Sequence, residues 1–175
     1  MGHDSLYETD ISTWAEQQAA ALRSLVSRGD LPNELDLRNI VEEIEYIGIS
    51  PLRSVSGFMR LTLSYIILIA VDADADSVSH WTREVATFRG EVIQSWQPSM
   101  RQRIDMDKIW RHATEEALLK LSTYHANGTA FDADVMMGRL GTASPFAIDD
   151  LCGASFEFHD LVEGLRAHIA SERSV

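Results

Sequence analysis

No side chain between Arg60 and Asp72 is charged, and the intervening LTLSYIILIAV places apolar residues in every direction around a helical wheel. A helix that is apolar all round has to be buried on all sides. The run is shorter than the roughly 20 apolar residues that a bilayer span takes. The pattern over residues 50–71 therefore predicts the central helix of a helical domain, with the other helices packed around it.

Weaker periodicities flank this stretch. Trp14, Gln18, Ala21, Leu22 and Leu25 share one helical face, which predicts a helix beginning after Asp10 or Thr13 and ending before Gly29. Asp10 is a cap candidate, and Thr13 with Glu16 has capping-box spacing. After a loop through Asp30-Leu31-Pro32-Asn33, Asp36 opens a second helix whose stripe is Leu37, Ile40, Val41 and Ile44. Gly48 then falls at a helix-ending position, and Ser50-Pro51 reads as the start of the central helix. Two separate helices are expected here.

Downstream, Asp72-Ala73-Asp74-Ala75-Asp76 reads as a charged loop. A helix over 79–97 carries Trp81, Val85, Phe88, Val92 and Trp96 on one face, and Pro98 stops it. Another over 107–127 buries Trp110, Ala113, Ala117, Leu121 and Tyr124, and Asn127-Gly128 ends it. The last quarter predicts short helices at 134–140 and from Ser144-Pro145, then a terminal helix docking through Leu161, Val162, Leu165 and Ile169. No stretch alternates with period two. The expected fold is all-α: one helical domain over 1–175, with about five main helices in a bundle core over 10–127 and a short-helix segment over 128–175.

Composition narrows the function. With 45% hydrophobic and 24% charged residues, the 175-residue chain has an ordinary globular makeup. A formal net charge of −12 argues against nucleic acid and anionic membranes as partners, since both need a basic field. A cytoplasmic location is expected by elimination. Cys152 is the only cysteine, which excludes an intramolecular disulfide and cysteine-based zinc sites. MGHDSLYETD has no basic segment followed by an apolar one, so no signal peptide is expected.

Candidate chemistry is sparse. Di-metal carboxylate bundles use Glu-x-x-His, and no histidine here has that spacing. His80 and Glu84 share a helix face, as do His112 with Glu115 and Glu116, and His159 with Glu163. Asp72, Asp74 and Asp76 are spaced like the first ligands of an EF-hand loop, but Ser77 stands at the turn glycine and Arg83 at the closing glutamate. Metal binding by these residues is not the expected outcome, and no cofactor is expected. Cys152 lies among Asp149 and Asp150, an acidic setting that favours a packed thiol over a nucleophile. Arg101, Arg103, Lys108, Arg111 and His112 form the one basic concentration, which reads as a solvated face. In the cluster Glu42-Glu43-Ile44-Glu45, Glu42 points outward and Glu45 falls about 90° from the stripe centre. Glu45 is thus expected to pair with an arginine of another helix, Arg89 first and Arg60 second.

The run Asp36-Leu37-x-Asn39-x-x-Glu42-Glu43-Ile44-Glu45-x-x-Gly48-x-Ser50 resembles the signature of domain-of-unknown-function family 29. The opening Tyr7-x-x-Asp10-x-x-x-Trp14-x-x-x-Gln18 with Leu22-Arg23 is similar to the family's N-terminus. So are Trp81-x-x-Glu84-Val85-x-x-Phe88-Arg89, Pro98-Ser99-Met100 and Ser144-Pro145-Phe146 to its later elements. The resemblance implies an α-helical bundle without an established activity. It also implies His and Lys late in the third helix, where this chain has Ser64-Tyr65-Ile66-Ile67. Asn39, Glu42, Glu43, Glu45, Trp81, Glu84 and Arg89 are the candidate ligand or partner contacts. The expected role is a non-catalytic interaction or regulatory bundle that offers an acidic face to a protein partner, homo-oligomers included. The alternative is a small-molecule or metal-binding bundle, or an enzyme, built on Glu43, Glu45, His80 and Glu84.

Overall fold

The computed structural model describes residues 3–26, 32, 34–125, 131–154 and 156–171. The protein is all-α, and the described residues contain no strand. Its α-helices are α1 (His3–Thr9), α2 (Ile11–Val26), α3 (Leu37–Val71), α4 (Val78–Ser95), α5 (Met106–His125), α6 (Ala133–Leu140), α7 (Ile148–Cys152) and α8 (Phe158–Ser171), with a 3-10 turn at Pro98–Gln102. They fall into two compact units. The first holds residues 1–55 and 95–104, the second 56–94 and 105–175.

Continuity of α3 is the largest departure from the sequence pattern. Gly48 and Ser50-Pro51 do not separate two helices; a single helix of 35 residues runs through them. Pro51 removes one N–H from the ladder and so leaves the Ile47 carbonyl without its usual partner. Ile47 is an exposed residue, so water can take that place. The expectation that the apolar stretch is too short for a bilayer is overturned too: α3 is long and apolar enough by length and composition. Its most apolar window is 56% buried inside the protein.

In the first unit, Gly48 serves close packing. Its Cα faces α2 so tightly that an added Cβ would lie 2.9 Å from Ala15 Cβ and 3.3 Å from the Ser12 carbonyl oxygen. Across the same contact the buried Ser12 hydroxyl donates to the Gly48 carbonyl at 2.8 Å. The buried face of α2 is therefore Ser12, Ala15 and Ala19 rather than the expected Trp14–Ala21 stripe; Ala21 is exposed. Small side chains let two helix backbones approach, and the larger Trp14 instead meets Tyr7 of α1 edge-on at 4.8 Å.

Asp10 sits at the elbow between α1 and α2. Its carboxylate accepts the Thr13 N–H and the Thr13 hydroxyl, each at 3.0 Å. Asp10 is thus the N-cap, and the Thr13–Glu16 capping box does not form because Thr13 already lies inside the helix. Burial pushes the Asp10 carboxyl up, but the Thr13 N–H, the Ser99 and Thr13 hydroxyls and the Arg103 charge outweigh it and hold it below 3.8.

The second unit is built on the C-terminal part of α3, where Leu63, Ile66, Ile67 and Leu68 are fully buried. Trp81 and Val85 of α4, Trp110 and Leu121 of α5, and Leu165 of α8 supply the matching core. Tyr124 and Ile40, both expected inside, are exposed. Arg166 of α8 closes the end of α3, its guanidinium donating to the Ile69 carbonyl at 3.0 Å and to the Ala70 carbonyl at 3.5 Å. These belong to the last turn, whose carbonyls lack intrahelical donors. Trp110 Nε1 lies 3.3 Å from the Leu140 and Gly141 carbonyls, fixing the end of α6 to α5. The final short helix begins at Ile148, not at Ser144-Pro145. Ser144 is held by Asp107, and Asp150 accepts the Ala147 N–H at 2.7 Å to start α7. The terminal helix spans Phe158–Ser171 and buries Val162, Leu165 and Ile169. The expected stops at Gly29 and Asn127-Gly128 lie outside the described residues.

Three outcomes follow from these contacts. Gly48→Ala gains helix propensity of about 1 kcal/mol but overpacks the α2–α3 contact, so a net loss of about 1–3 kcal/mol is expected in urea denaturation. Adding Ala15→Gly should recover part of it, and an unchanged midpoint for Gly48→Ala would show that the two backbones do not meet. Arg166→Met strands two helix-end carbonyls at an expected cost of about 1–3 kcal/mol, with Arg166→Lys restoring only part because an ammonium lacks the planar fork. Since the folded Asp10 carboxyl titrates below its unfolded value of 3.8, its contribution is complete above that pH and is lost as the pH falls through the folded value. Asp10→Asn keeps a capping acceptor and should flatten the acid limb of the stability–pH curve.

Candidate functional site

The first turns of α3 gather the charged residues that the sequence singles out. Asp36 caps the helix by accepting the Asn39 N–H at 3.2 Å and Asn39 Nδ2 at 2.5 Å, so Asn39 has a structural duty. Glu42 and Glu43 are exposed. Glu45 pairs with Arg23 of α2, not with Arg89 or Arg60. Arg60 instead pairs with Glu116 of α5, and Arg89 donates to the Gly153 carbonyl at 2.8 Å while stacking on the Phe156 ring. Sequence spacing placed Glu45 at the helix edge correctly; it could not say that α2 is the helix lying along that edge.

Arg23, Arg38, Glu42 and Glu45 line a groove of about 280 Å3 over the buried Val41. The Arg23 and Glu45 side chains are 53% and 38% exposed, so their pair is screened and contributes only about 0–1 kcal/mol. Beside this groove, on the outward side of α3, Ile40, Tyr46 and Ile47 are 37%, 58% and 45% exposed, with Glu43 between them on the wheel. The lining holds neither a nucleophile nor an imidazole. Alternating charges next to apolar side chains suit recognition of another surface rather than bond making.

The remaining candidates lie in the second unit. Trp81 is buried against Tyr124, a packing position. Glu84 lies 3.8 Å from His80 Nδ1 within one helix. The Asp72 carboxylate accepts from His125 Nε2 at 2.9 Å, and the His125 ring stacks on Phe131, while Asp74 and Asp76 are exposed in successive turns. Asp72 is therefore engaged by a histidine that sequence reasoning had not paired with it. Among the described residues no three of His, Cys, Asp and Glu converge as a metal-binding group. Cys152 is partly buried and its thiol donates to the Ile148 carbonyl at 3.1 Å.

Sequence reasoning also missed a network around Glu116. Its carboxylate is shared by Arg60 and by Lys120, the latter at 2.9 Å. Lys120 Nζ stands 4.4 Å over the Tyr65 ring, which stacks on Phe88, which in turn stacks on Phe58. Phe58 and Tyr65 are seven apart, which was the available signal; the contribution of α5 had none. In the segment where family resemblance implies His and Lys, Ser64 is buried and the ammonium over Tyr65 comes from α5.

An alpha-helical protein of unknown function from Rhodospirillum rubrum has a similar structure, with a TM-score of 0.75 and 32% sequence identity, over 91% of this chain and 96% of that one. No curated protein matches the chain. The family model described as domain of unknown function DUF29 matches residues 6–137, from α1 into α6. That match includes the Asp36-to-Ser50 run and the Trp81-to-Arg89 motif, and the chain belongs to the DUF29 family.

Proposed function

We propose that the protein is a non-catalytic interaction module that uses the outward side of the first part of α3 to hold a protein partner. One observation carries this reading: Ile40, Tyr46 and Ile47 are all exposed on neighbouring positions, beside the charged groove of Arg23, Arg38, Glu42 and Glu45. Large apolar side chains within a charged rim are the anatomy of a protein interface. Glu43, in the middle of the patch, favours a partner that brings a basic residue to the same place. The alternative built on Glu43, Glu45, His80 and Glu84 has less support, because Glu45 is engaged by Arg23 and no three such groups converge among the described residues.

The test is a comparison of wild type with the triple variant Ile40→Ser, Tyr46→Ser, Ile47→Ser. Substituting exposed residues should change stability by only about 0.5 kcal/mol per site. Crosslinking and light scattering on purified protein, together with capture from the native host, should show a stoichiometric complex for the wild type that the variant loses. A variant that keeps every complex, or a wild type that forms none, would overturn the reading.

A further inference from the structure

The first unit holds a second concavity with different chemistry. It has a volume of about 380 Å3 and is lined by Thr13 and Glu16 of α2 and by Pro98, Ser99, Gln102 and Arg103 in and after the 3-10 turn. Every lining residue except Pro98 carries a polar side chain. Arg103 Nη1 lies 2.9 Å from Glu16 Oε1, so a cation and an anion stand side by side at the opening. A guanidinium has five N–H donors, and this contact occupies one of them. Glu16 is 62% exposed, which leaves its carboxylate accessible to solvent.

The hydroxyls of the groove are held in place from behind. Thr13 is fixed by both oxygens of Asp10. Ser99 also faces the Asp10 carboxylate. Its Oγ is shielded from water and meets no acceptor or donor at full hydrogen-bond geometry among the described residues. The groove therefore offers a cation, an anion and an amide around one apolar residue, with the Thr13 and Ser99 hydroxyls turned to Asp10 behind it.

We propose that this groove binds a free α-amino acid or a zwitterion of similar size, with its carboxylate on the Arg103 guanidinium, its ammonium on Glu16 and the Gln102 amide oxygen, and its side chain against Pro98. The two charges select the class. A simple anion attracted to Arg103 is repelled by Glu16 and by Asp10 behind it, and a simple cation attracted to Glu16 is repelled by Arg103, whereas a ligand bearing both charges meets a partner for each. An apolar ligand would cover Arg103 and Glu16 without giving them partners. The Arg103–Glu16 contact is solvent-exposed on the Glu16 side, so opening it to admit a ligand costs little. This site is independent of the α3 patch and stands or falls apart from it.

The experiment is a titration of nitrogen-15-labelled full-length protein with each proteinogenic amino acid, using acetate and methylammonium as single-charge controls and backbone amide shifts as the readout. Saturable shifts at Thr13, Glu16, Ser99, Gln102 and Arg103 are expected for at least one amino acid, with both controls weaker by roughly tenfold or more. Arg103→Gln should weaken that binding by about tenfold or more while the rest of the spectrum is retained. Glu16→Gln, at an exposed position, should reduce amino-acid binding and raise the response to acetate. Absence of shifts with every amino acid at millimolar concentrations would overturn the proposal. So would acetate binding as tightly as the best amino acid, or unchanged binding in Arg103→Gln and Glu16→Gln.

Discussion

Ile66, Ile67, Leu68 and Ile69 are four consecutive buried residues. At 100° per residue they face all sides of α3, so no single neighbour can cover them. The helix has to be surrounded, and the contacts show by what: Phe88 of α4 lies against Tyr65, Glu116 of α5 meets Arg60, and Arg166 of α8 reaches the last turn. Enclosure creates a polar problem of its own. The carbonyls at the end of an enclosed helix have limited access to water, and a buried carbonyl without a donor costs about 1–3 kcal/mol. Arg166 answers it for Ile69 and Ala70, and the Asp72–His125 contact ties the residue just beyond the helix to the end of α5. One apolar run thereby dictates where an arginine and a histidine far along the chain must be.

That central helix was legible because its signal is local and one-sided: eleven residues without a charge leave few alternatives. The terminal helix was legible to the residue for the same reason, since its apolar period is clean from end to end. What misled the reading was the meaning of glycine and proline. Gly48 carries the same letter whether it ends a helix or lets another helix approach, and only the presence of Ala15 and Ser12 opposite decides. Ser50-Pro51 likewise has the composition of a helix start. The long burial of α3 outweighs a proline cost of about 3 kcal/mol, and that is a tertiary quantity no local window contains. On α2 the period points to Trp14, Gln18, Ala21, Leu22 and Leu25, whereas the close contact selects Ser12, Ala15 and Ala19.

The candidate sites divide along the same line. Glu42, Glu43 and Glu45 could be found from one helix, because position on the wheel is a property of that helix alone. Their companions could not. Arg23 is 22 residues before Glu45, and Ser99 and Arg103 face Thr13 and Glu16 across more than 80 positions. The basic concentration of Arg101, Arg103, Lys108 and Arg111 reads as one solvated face, yet Arg103 pairs with Glu16 of α2, while Lys108 and Arg111 belong to α5.

The two parts of α3 also differ in what they leave available. Its C-terminal part is buried all round, so a substitution there acts on folding before it can act on anything else. Its N-terminal part is buried only along Leu37, Val41, Gly48 and Val55. The remaining directions carry Glu42, Glu43, Tyr46 and Ile47 into solvent. A helix that needs burial on one stripe alone can vary its other faces without loss of the fold, and those faces are where recognition can be written. The tight Gly48–Ala15 contact makes this economical, since two small residues fix the position of the helix and no large side chain on its outward faces is needed to do so. Exposed Ile40, Tyr46 and Ile47 are then unexplained by packing within the first unit, and a surface that packing does not explain is where a partner is to be sought.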